Sequence, residues 1–312
     1  MAAFTKPSEE ELRSFLGENY SEFQSVEAGS VNSNFSFNRD GRRWFLRIYE
    51  EQDAAGAEAE RAMVATLASA GVPTPVATLH GVLAGKPAAV FPWVEGAMSC
   101  QRGVTPARAA AIGAALGRVA RAGQSVALSA GRFHEAALRD RLGRIPSEYP
   151  IVRIRTILDD LAENRDRALP TGLVHGDLFR DNVLWAGETV AALLDFESAF
   201  RGPLAYDLAV LLLSWCYGDT FEPDLARSMV RGYESIRPLE PSEKRALYTE
   251  TRFGAVRFTI TRITDYAMPR RVSDTTGGGG EGRVMKDWRR FLARVEALDE
   301  MGQSGFEAMC GL

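Results

Sequence analysis

Two short motifs carry the residue types that could do chemistry in this chain of 312 residues. His175-Gly-Asp177 is followed five residues later by Asn182, and Asp195-Phe-Glu197 begins thirteen residues after that asparagine. A carboxylate that takes the proton of a substrate hydroxyl, with an amide and a second carboxylate that hold Mg²⁺, is the set that phosphoryl transfer requires. Each triplet alone is also typical of an ordinary turn with an aspartate N-cap, so the prediction depends on both occurring at this spacing.

The segments around these motifs predict how the chain would position them. The apolar segments 183–185 and 190–194 flank Gly187, a pattern typical of a β-hairpin. Such a hairpin would hold Asp177, Asn182 and Asp195 at one end of a small sheet. The metal would there neutralise charge on the phosphates, while the separate carboxylate positions the hydroxyl and takes its proton.

Composition excludes several other classes of protein. The chain has 37 Lys and Arg against 41 Asp and Glu, a formal net charge of −4, which argues against a nucleic-acid or anionic-membrane binder. Its three cysteines form no CxxC pair and its three histidines no HExxH motif, so a zinc site is not expected. No signal-peptide pattern and no bilayer-spanning apolar run is present, and widely spaced cysteines suit a reducing compartment. We therefore expect a cytoplasmic protein.

The first 95 residues predict a small strand-rich region. A capping-box pattern at Ser8 begins a helix, and the turn at 38–41 joins two strands. The predicted elements are a helix over 8–18, strands over 22–27, 34–37 and 43–50, a helix over 54–70, and a hairpin of 77–82 and 88–94. From Thr105-Pro106 onward helical patterns dominate, interrupted by a β-like segment over 173–196. The glycine tract at 277–280 is interpreted as a loop.

The two motifs resemble the catalytic loop and the metal loop of the protein-kinase-like fold, in the branch of aminoglycoside phosphotransferases and choline kinases. The resemblance extends from about Phe4 to Tyr266, and further segments narrow it to type II homoserine kinases. These segments are 178–183, 205–209 with 215–216, 232–239, and the predicted helix that carries 257–266. The resemblance implies a two-lobed α+β fold, with a small antiparallel-sheet, nucleotide-binding N-terminal lobe over 1–95. The larger, mostly helical C-terminal lobe over 96–312 would carry catalysis and substrate binding.

The resemblance also implies roles for the motif residues, in a transfer of the ATP γ-phosphate to a small-molecule hydroxyl that depends on Mg²⁺. Asp177 would be the catalytic base, and Asn182 and Asp195 would be the Mg²⁺ ligands. Glu197 would approach either the metal or the substrate. Type II homoserine kinases have His-Ala-Asp and Asp-Phe-Tyr at these motifs. The substituted positions flank the acceptor pocket, so this departure bears on the identity of the acceptor more than on the reaction.

Two further polar residues each have two interpretations. The resemblance implies that Asp207 braces the catalytic loop by accepting its backbone N–H groups; a second interpretation, compatible with the first, is the N-cap of a helix over 208–217. Arg180 lies inside the catalytic loop, where a cation would offset phosphate charge, or it would be a solvated surface residue.

The resemblance places the phosphates of the nucleotide in the N-terminal lobe. The loop 28–34 has one glycine, so Ser30 and backbone amides would hold the phosphates, with a plain hairpin turn as the alternative. Arg47 stands where the family has a lysine, and arginine grips phosphate bidentately but is bulkier. Glu60 would be its helix partner, or would belong to a solvated helix face.

The nucleotide base is expected at the junction between the lobes. The Pro92 carbonyl and the Val94 amide are the candidates for hydrogen bonds to its edge, with Phe91 at the back of the pocket. Apolar residues at this place are also typical of packing between lobes. The segment 81–87 is similar to a P-loop but is too short and lacks the final Ser or Thr, so it predicts a hairpin turn.

The expected acceptor is an amino alcohol, with L-homoserine as the best single candidate. Homoserine is zwitterionic, so its site needs a cation and an anion, and Arg257, Arg262 and Asp265 lie on one predicted helix. Arg262 and Asp265 are three residues apart, which also permits an intrahelical salt bridge without a ligand. Two alternatives stay open: a phosphotransferase of the aminoglycoside or choline type, and a non-catalytic nucleotide-binding protein, which Arg47 would suit.

Overall fold

The computed structural model describes residues 5–26, 31–126, 128, 131, 133–268 and 286–312. These residues form two units: the first holds the described residues up to 68 together with 74–95, and the second holds 69–73 and the described residues from 96 onward. Ser30 and the glycine tract at 277–280, both named in the sequence predictions, lie outside the described residues. No helix of the described part has both the length and the apolar character that crossing a membrane would need.

The first unit is a five-stranded antiparallel sheet with two helices. Its elements are α1 (Glu9–Leu16), β1 (Ser21–Ser25), β2 (Ser33–Arg39), β3 (Arg42–Ile48), α2 (Ala54–Ser69), β4 (Leu79–Leu83) and β5 (Lys86–Pro92). The strand order is β1-β2-β3-β5-β4, and every neighbouring pair is antiparallel. All seven elements predicted from the sequence are present, with ends that differ by two residues at most.

Two tight turns explain the register of this sheet. Asp40 and Gly41, between β2 and β3, both have positive φ, as a two-residue hairpin turn requires. Ala84 and Gly85 have the same conformation between β4 and β5, so the P-loop-like segment is a hairpin, as predicted. The turn consists of Ala84 and Gly85 alone, because Lys86 already belongs to β5.

The second unit is mostly helical. Its helices are α3 (Pro106–Ala122), α4 (Glu135–Leu142), α5 (Ile151–Asn164), α6 (Leu204–Trp215), α7 (Pro223–Glu234), α8 (Pro241–Arg262) and α9 (Arg289–Cys310). Thr105 caps α3 by accepting the backbone N–H of Arg108, and Pro106 is the first helical residue, as predicted. All 12 residues of α6 are buried. After α8 the chain continues through a π-helical turn, Ile263–Ala267.

Two small antiparallel strand pairs interrupt the helices and position the two motifs. β6 (Thr171–Val174) pairs with β9 (Phe200–Pro203), and β7 (Val183–Ala186) pairs with β8 (Thr189–Leu193). The pair β7–β8 is the hairpin predicted around Gly187, which has a φ of 61°. The His-Gly-Asp motif therefore follows β6, and the Asp-Phe-Glu motif follows β8.

Candidate active site

A buried aspartate of α6 holds the loop that follows β6. Asp207 is 2% exposed and accepts the backbone N–H of His175 at 2.7 Å and that of Gly176 at 2.9 Å, one on each oxygen. Gly176 has a φ of 75°, and a Cβ there would lie 3.0 Å from the Phe200 ring, so a larger residue would strain this backbone and crowd the ring. The predicted bracing role of Asp207 is confirmed. The N-cap alternative is wrong, because α6 begins at Leu204 and Asp207 lies inside its first turn.

One hydrogen bond closes the loop of the first motif, and two more connect that loop to Leu194, the residue before the second motif. The side-chain amide of Asn182 donates to the Asp177 carbonyl at 2.8 Å, and the Asn182 carbonyl accepts the N–H of Leu194 at 2.9 Å. The Nε2 of His175 lies 3.0 Å from the Leu194 carbonyl, and this histidine is fully buried, which favours a structural role over acid–base chemistry. The loop with Asp177 and Asn182 therefore lies against the residue that immediately precedes Asp195.

Asn182 and Asp195 have the chemistry of a Mg²⁺ site. Because the Asn182 amide nitrogen donates to a backbone carbonyl, its side-chain oxygen is the atom left to act as a ligand. Asp195 has a left-handed backbone, with φ 65° and ψ 66°, which aspartate adopts more readily than most residues. Among the described residues, no group of three or more His, Cys, Asp or Glu could hold a metal. Two oxygen ligands completed by phosphates and water suit Mg²⁺, so these residues fit that ion.

Asp177 lies among charges of both signs. Burial raises the pKa of its carboxyl, Arg257 and Lys286 oppose that shift, and the charge of Asp195 adds to it. A carboxylate with a raised pKa is a stronger proton acceptor, as a catalytic base should be. The sequence predictions did not include Lys286, because it belongs to no motif and its proximity to Asp177 depends on the fold.

The charges around Asp177 predict a pH dependence of the activity. If Asp177 is the catalytic base, its ionised carboxylate is the active form, and kcat/KM should fall as the pH falls through its raised pKa. Arg257→Gln removes a cation that lowers this pKa, so the acid limb should move to higher pH. The measurement is the pH profile of kcat/KM for the wild type and for Arg257→Gln. The nucleotide titrates at the same pH in both assays, so its ionisation does not change the comparison. Arg245→Gln, at an exposed position of the same helix, should leave the limb in place. An acid limb at the same pH in all three proteins would contradict the assignment.

Arg257 is a buried cation that forms no ion pair with a carboxylate within the described residues. It is 5% exposed, and its guanidinium carbon lies 4.0 Å from the ring centre of Phe133 and 3.9 Å from that of Phe258. Its Nε is buried and has no hydrogen-bond partner in the described part of the chain. Other arginines of this unit are paired: Arg165 with Glu250 at 2.7 Å and Arg237 with Glu243 at 3.0 Å. A ligand carboxylate would complete the environment of Arg257.

Arg262 and Asp265 do not form the intrahelical pair that their spacing permits. The π-helical turn begins after Arg262, and Asp265 pairs with Arg141 of α4, with 2.5 Å between Nη1 and Oδ1. Arg262 donates to the Asp287 carbonyl at 2.9 Å, and its guanidinium carbon lies 4.4 Å from the ring centre of Phe291. The salt-bridge alternative is wrong, because the helix changes its winding between the two residues.

Arg180 is bound to the protein and is not a solvated surface residue. Its Nη1 donates to the side-chain oxygen of Gln101 at 2.7 Å and to the backbone carbonyl of Ser214. Burial, and then the charge of Arg290, lowers its pKa. The solvated alternative is therefore wrong, and the action of Arg180 on a phosphate stays a prediction.

The nucleotide-binding candidates of the first unit lie on β3, α2 and the end of β5. Arg47 lies in β3 opposite Ala89 of β5, and Glu60 is buried in α2, where it accepts a hydrogen bond from Gln52 at 3.2 Å. Burial excludes the solvated-face alternative for Glu60. Three candidates for the base follow in order along the chain: Phe91, half-buried in β5; Pro92, exposed at the end of that strand; and Val94, half-buried beyond it.

Comparisons with known proteins find relatives over most of the chain. Residues 22–241 match the model of a family described as the phosphotransferase enzyme family. The chain is 33% identical over 289 residues to a homoserine kinase of Methylorubrum populi, covering 85% of this chain and 88% of that protein. It is 31% identical over 309 residues to a homoserine kinase of Neisseria meningitidis serogroup B, covering 93% and 97% of the two chains.

Solved structures share the fold. A thermostable mutant of the aminoglycoside phosphotransferase APH(4)-Ia matches with a TM-score of 0.61 at 17% identity, covering 97% of this chain and 98% of that chain. A choline/ethanolamine kinase family protein from Mesorhizobium loti matches with a TM-score of 0.63 at 20% identity, covering 93% and 92%. The predicted kinase-like α+β fold, with an antiparallel N-terminal sheet and a larger helical part, is confirmed.

Proposed function

Because this chain belongs to the phosphotransferase enzyme family, and is therefore an ATP-dependent enzyme that phosphorylates a hydroxyl group, we propose that its acceptor is L-homoserine. The observation that carries this proposal is the buried guanidinium of Arg257, which forms no ion pair within the described residues, has a buried Nε without a hydrogen-bond partner there, and acts electrostatically on Asp177. A zwitterionic acceptor would bring a carboxylate to Arg257 and its hydroxyl to Asp177. Its ammonium group we assign to Glu197, because the carboxylate of Asp265 is engaged by Arg141.

The phosphoryl transfer follows from the residues of the catalytic loop. Asp177 would accept the proton of the acceptor hydroxyl as that oxygen forms a bond to the γ-phosphorus, and ADP would leave as the bond to the bridging oxygen breaks. Asn182 and Asp195 would hold Mg²⁺, which supplies charge neutralisation on the phosphates. Asp207 would keep the loop in position through its two backbone hydrogen bonds. In the first unit, Arg47 would bind phosphate, and Phe91, Pro92 and Val94 would bind the base.

A substrate panel tests the acceptor. Steady-state assays with ATP would compare L-homoserine, choline, an aminoglycoside and 3-aminopropan-1-ol, which is homoserine without its carboxylate. We expect homoserine to have the highest kcat/KM, at about 100-fold or more above 3-aminopropan-1-ol, because a buried charge pair is lost without the carboxylate. Homoserine turned over no better than the other three would refute the assignment.

A variant pair connects that selectivity with Arg257. Arg257→Gln should lower kcat/KM for homoserine by about 100-fold and leave the value for 3-aminopropan-1-ol nearly unchanged. Arg245→Gln on the same helix is exposed and should preserve the preference. A loss of the same size for both acceptors would place Arg257 in a structural role instead.

A polycationic acceptor fits this site less well. Arg257 and Lys286 both act on Asp177, so two cations near the catalytic base would oppose the binding of a polycationic aminoglycoside. The aminoglycoside phosphotransferases in the structural comparison are below 25% identity and support the fold only.

A further inference from the structure

Four arginines of the second unit gather next to the catalytic loop. Arg180 belongs to the loop, Arg262 ends α8, and Arg290 and Arg294 lie in the first turns of α9; we call them the arginine cluster. The guanidinium carbons of Arg262 and Arg294 lie 4.4 Å and 4.7 Å from the ring centre of Phe291, so this one ring supports both groups. The charge of Arg290 acts on each of the other three.

The hydrogen bonds of the arginine cluster go to neutral acceptors. These acceptors are the side-chain oxygen of Gln101 and the backbone carbonyls of Ser214, Asp287, Leu213 and Arg290. Within residues 5–268 and 286–312, as far as they are described, none of the four arginines forms an ion pair with a carboxylate. Three aspartates, Asp177, Asp181 and Asp287, interact with these arginines electrostatically but form no ion-pair contact with them. Each guanidinium has five N–H donors, and Arg290, which is exposed, has none of its donors engaged by a carboxylate within the described residues.

The cluster is electrostatically unfavourable without an anion. Burial, and then the charge of Arg290, lowers the pKa of Arg262 to about 10 and that of Arg294 to about 9. Both side chains are still charged at neutral pH, so four positive charges repel one another next to the catalytic loop. An anion that binds only the folded protein would offset this repulsion and raise its stability.

We propose that the arginine cluster binds a phosphate dianion, which is either free phosphate or the phosphate group of the phosphorylated product. The planar guanidinium forks match phosphate oxygens bidentately, and several of them together favour a multiply charged oxyanion over chloride. Arg262 is within electrostatic reach of Asp177, which places the cluster near the loop where the product forms. This binding does not depend on which hydroxyl compound is phosphorylated.

Titration with inorganic phosphate tests the site. The full chain, without nucleotide, would be titrated by calorimetry at constant ionic strength adjusted with chloride, and thermal unfolding would be followed over the same concentrations. We expect saturable binding of one phosphate and a rise in the unfolding temperature. Arg290→Gln changes the exposed member of the cluster and should weaken binding about tenfold or more, because a hydrogen bond to a charged group is lost.

Arg289→Gln is the matched control. Arg289 is the neighbouring exposed residue, but its guanidinium lies 3.6 Å from the Asp287 carboxylate and 4.6 Å from the Trp288 ring centre. Arg289→Gln removes the same charge as Arg290→Gln. It should change phosphate affinity by less than about twofold, because only the long-range attraction of one exposed charge is lost. Equal weakening by both variants, or no binding beyond the chloride baseline, would overturn the proposal and leave the arginines as structural donors.

A second titration distinguishes the two sources of phosphate. The phosphorylated product of whichever acceptor the enzyme uses would replace inorganic phosphate. If Arg290→Gln weakens both ligands by the same factor and they compete, the cluster holds the phosphate group of the product. If Arg290→Gln weakens the binding of inorganic phosphate alone, the cluster binds free phosphate and not the product. Neither outcome depends on homoserine being the acceptor. A failure of the phosphate-site proposal can therefore be distinguished from a failure of the homoserine assignment.

Discussion

Replacing Asp177 with asparagine should lower kcat by a factor of about 10³, within the range of 10²–10⁴ that general bases contribute. Asparagine has nearly the same shape, but it cannot accept the proton of the acceptor hydroxyl. The backbone carbonyl of this residue, which accepts the hydrogen bond from Asn182, is unaffected by the change. Single-turnover assays would measure the chemical step, and equilibrium nucleotide binding should stay within a factor of about two of wild type.

The same substitution should not destabilise the protein. Burial raises the pKa of Asp177 above its unfolded value, so the fold favours the neutral carboxyl. The contribution of this group to stability is therefore largest below the unfolded pKa and falls as the pH rises through the folded pKa. At neutral pH the ionised side chain opposes folding, so Asp177→Asn should keep or raise the unfolding temperature. This combination of lost activity and retained stability is the signature of a catalytic group.

Asp181→Asn is the control for that experiment. Asp181 is exposed in the same loop and loses the same charge, so it should retain activity near wild type. If Asp177→Asn turned over as fast as wild type, Asp177 would have no part in proton transfer.

The elements around the catalytic loop could be predicted because each depends on a local pattern. The β7–β8 hairpin is encoded by two apolar segments around Gly187, and its ends differ from the prediction by one residue. The first turn of α3 follows from Thr105 and Pro106. The bracing role of Asp207 came from the family resemblance, because a hydrogen bond over 32 residues has no local signature.

Several contacts in the second unit could not be predicted, because they join distant segments. Asp265 pairs with Arg141, 124 residues away, so spacing along a helix could not identify its partner. The aromatic contacts of Arg257 include Phe133, from the segment that precedes α4. The π-helical turn that separates Arg262 from Asp265 arises within a continuous helical pattern. Charges and rings of this kind become neighbours only when the helices pack.

Replacing Asp207 with alanine should destabilise the protein by about 2–6 kcal/mol, because two buried backbone N–H groups would each lose an acceptor at about 1–3 kcal/mol. That loss is a large part of the 5–15 kcal/mol that a domain usually has. The two donors belong to His175 and Gly176, so the loop before Asp177 would relax and kcat should fall together with stability. Urea unfolding followed by circular dichroism gives the free energy, and the same preparation gives kcat.

Asp207→Asn separates the two hydrogen bonds, since its carbonyl oxygen can accept one N–H while its amide group faces the other donor. Each oxygen of Asp207 accepts its own N–H, so Asp207→Asn should lose about half as much free energy of unfolding as Asp207→Ala. Asp224→Ala is the matched control in the first turn of α7, where the side chain is exposed and lies 3.6 Å from Arg227. A surface pair of this kind contributes about 0–1 kcal/mol, so stability and kcat should hardly change. If Asp207→Ala were as stable as Asp224→Ala, water would be replacing the carboxylate, and the loop would owe its position to the hydrogen bonds of Asn182 and His175 instead.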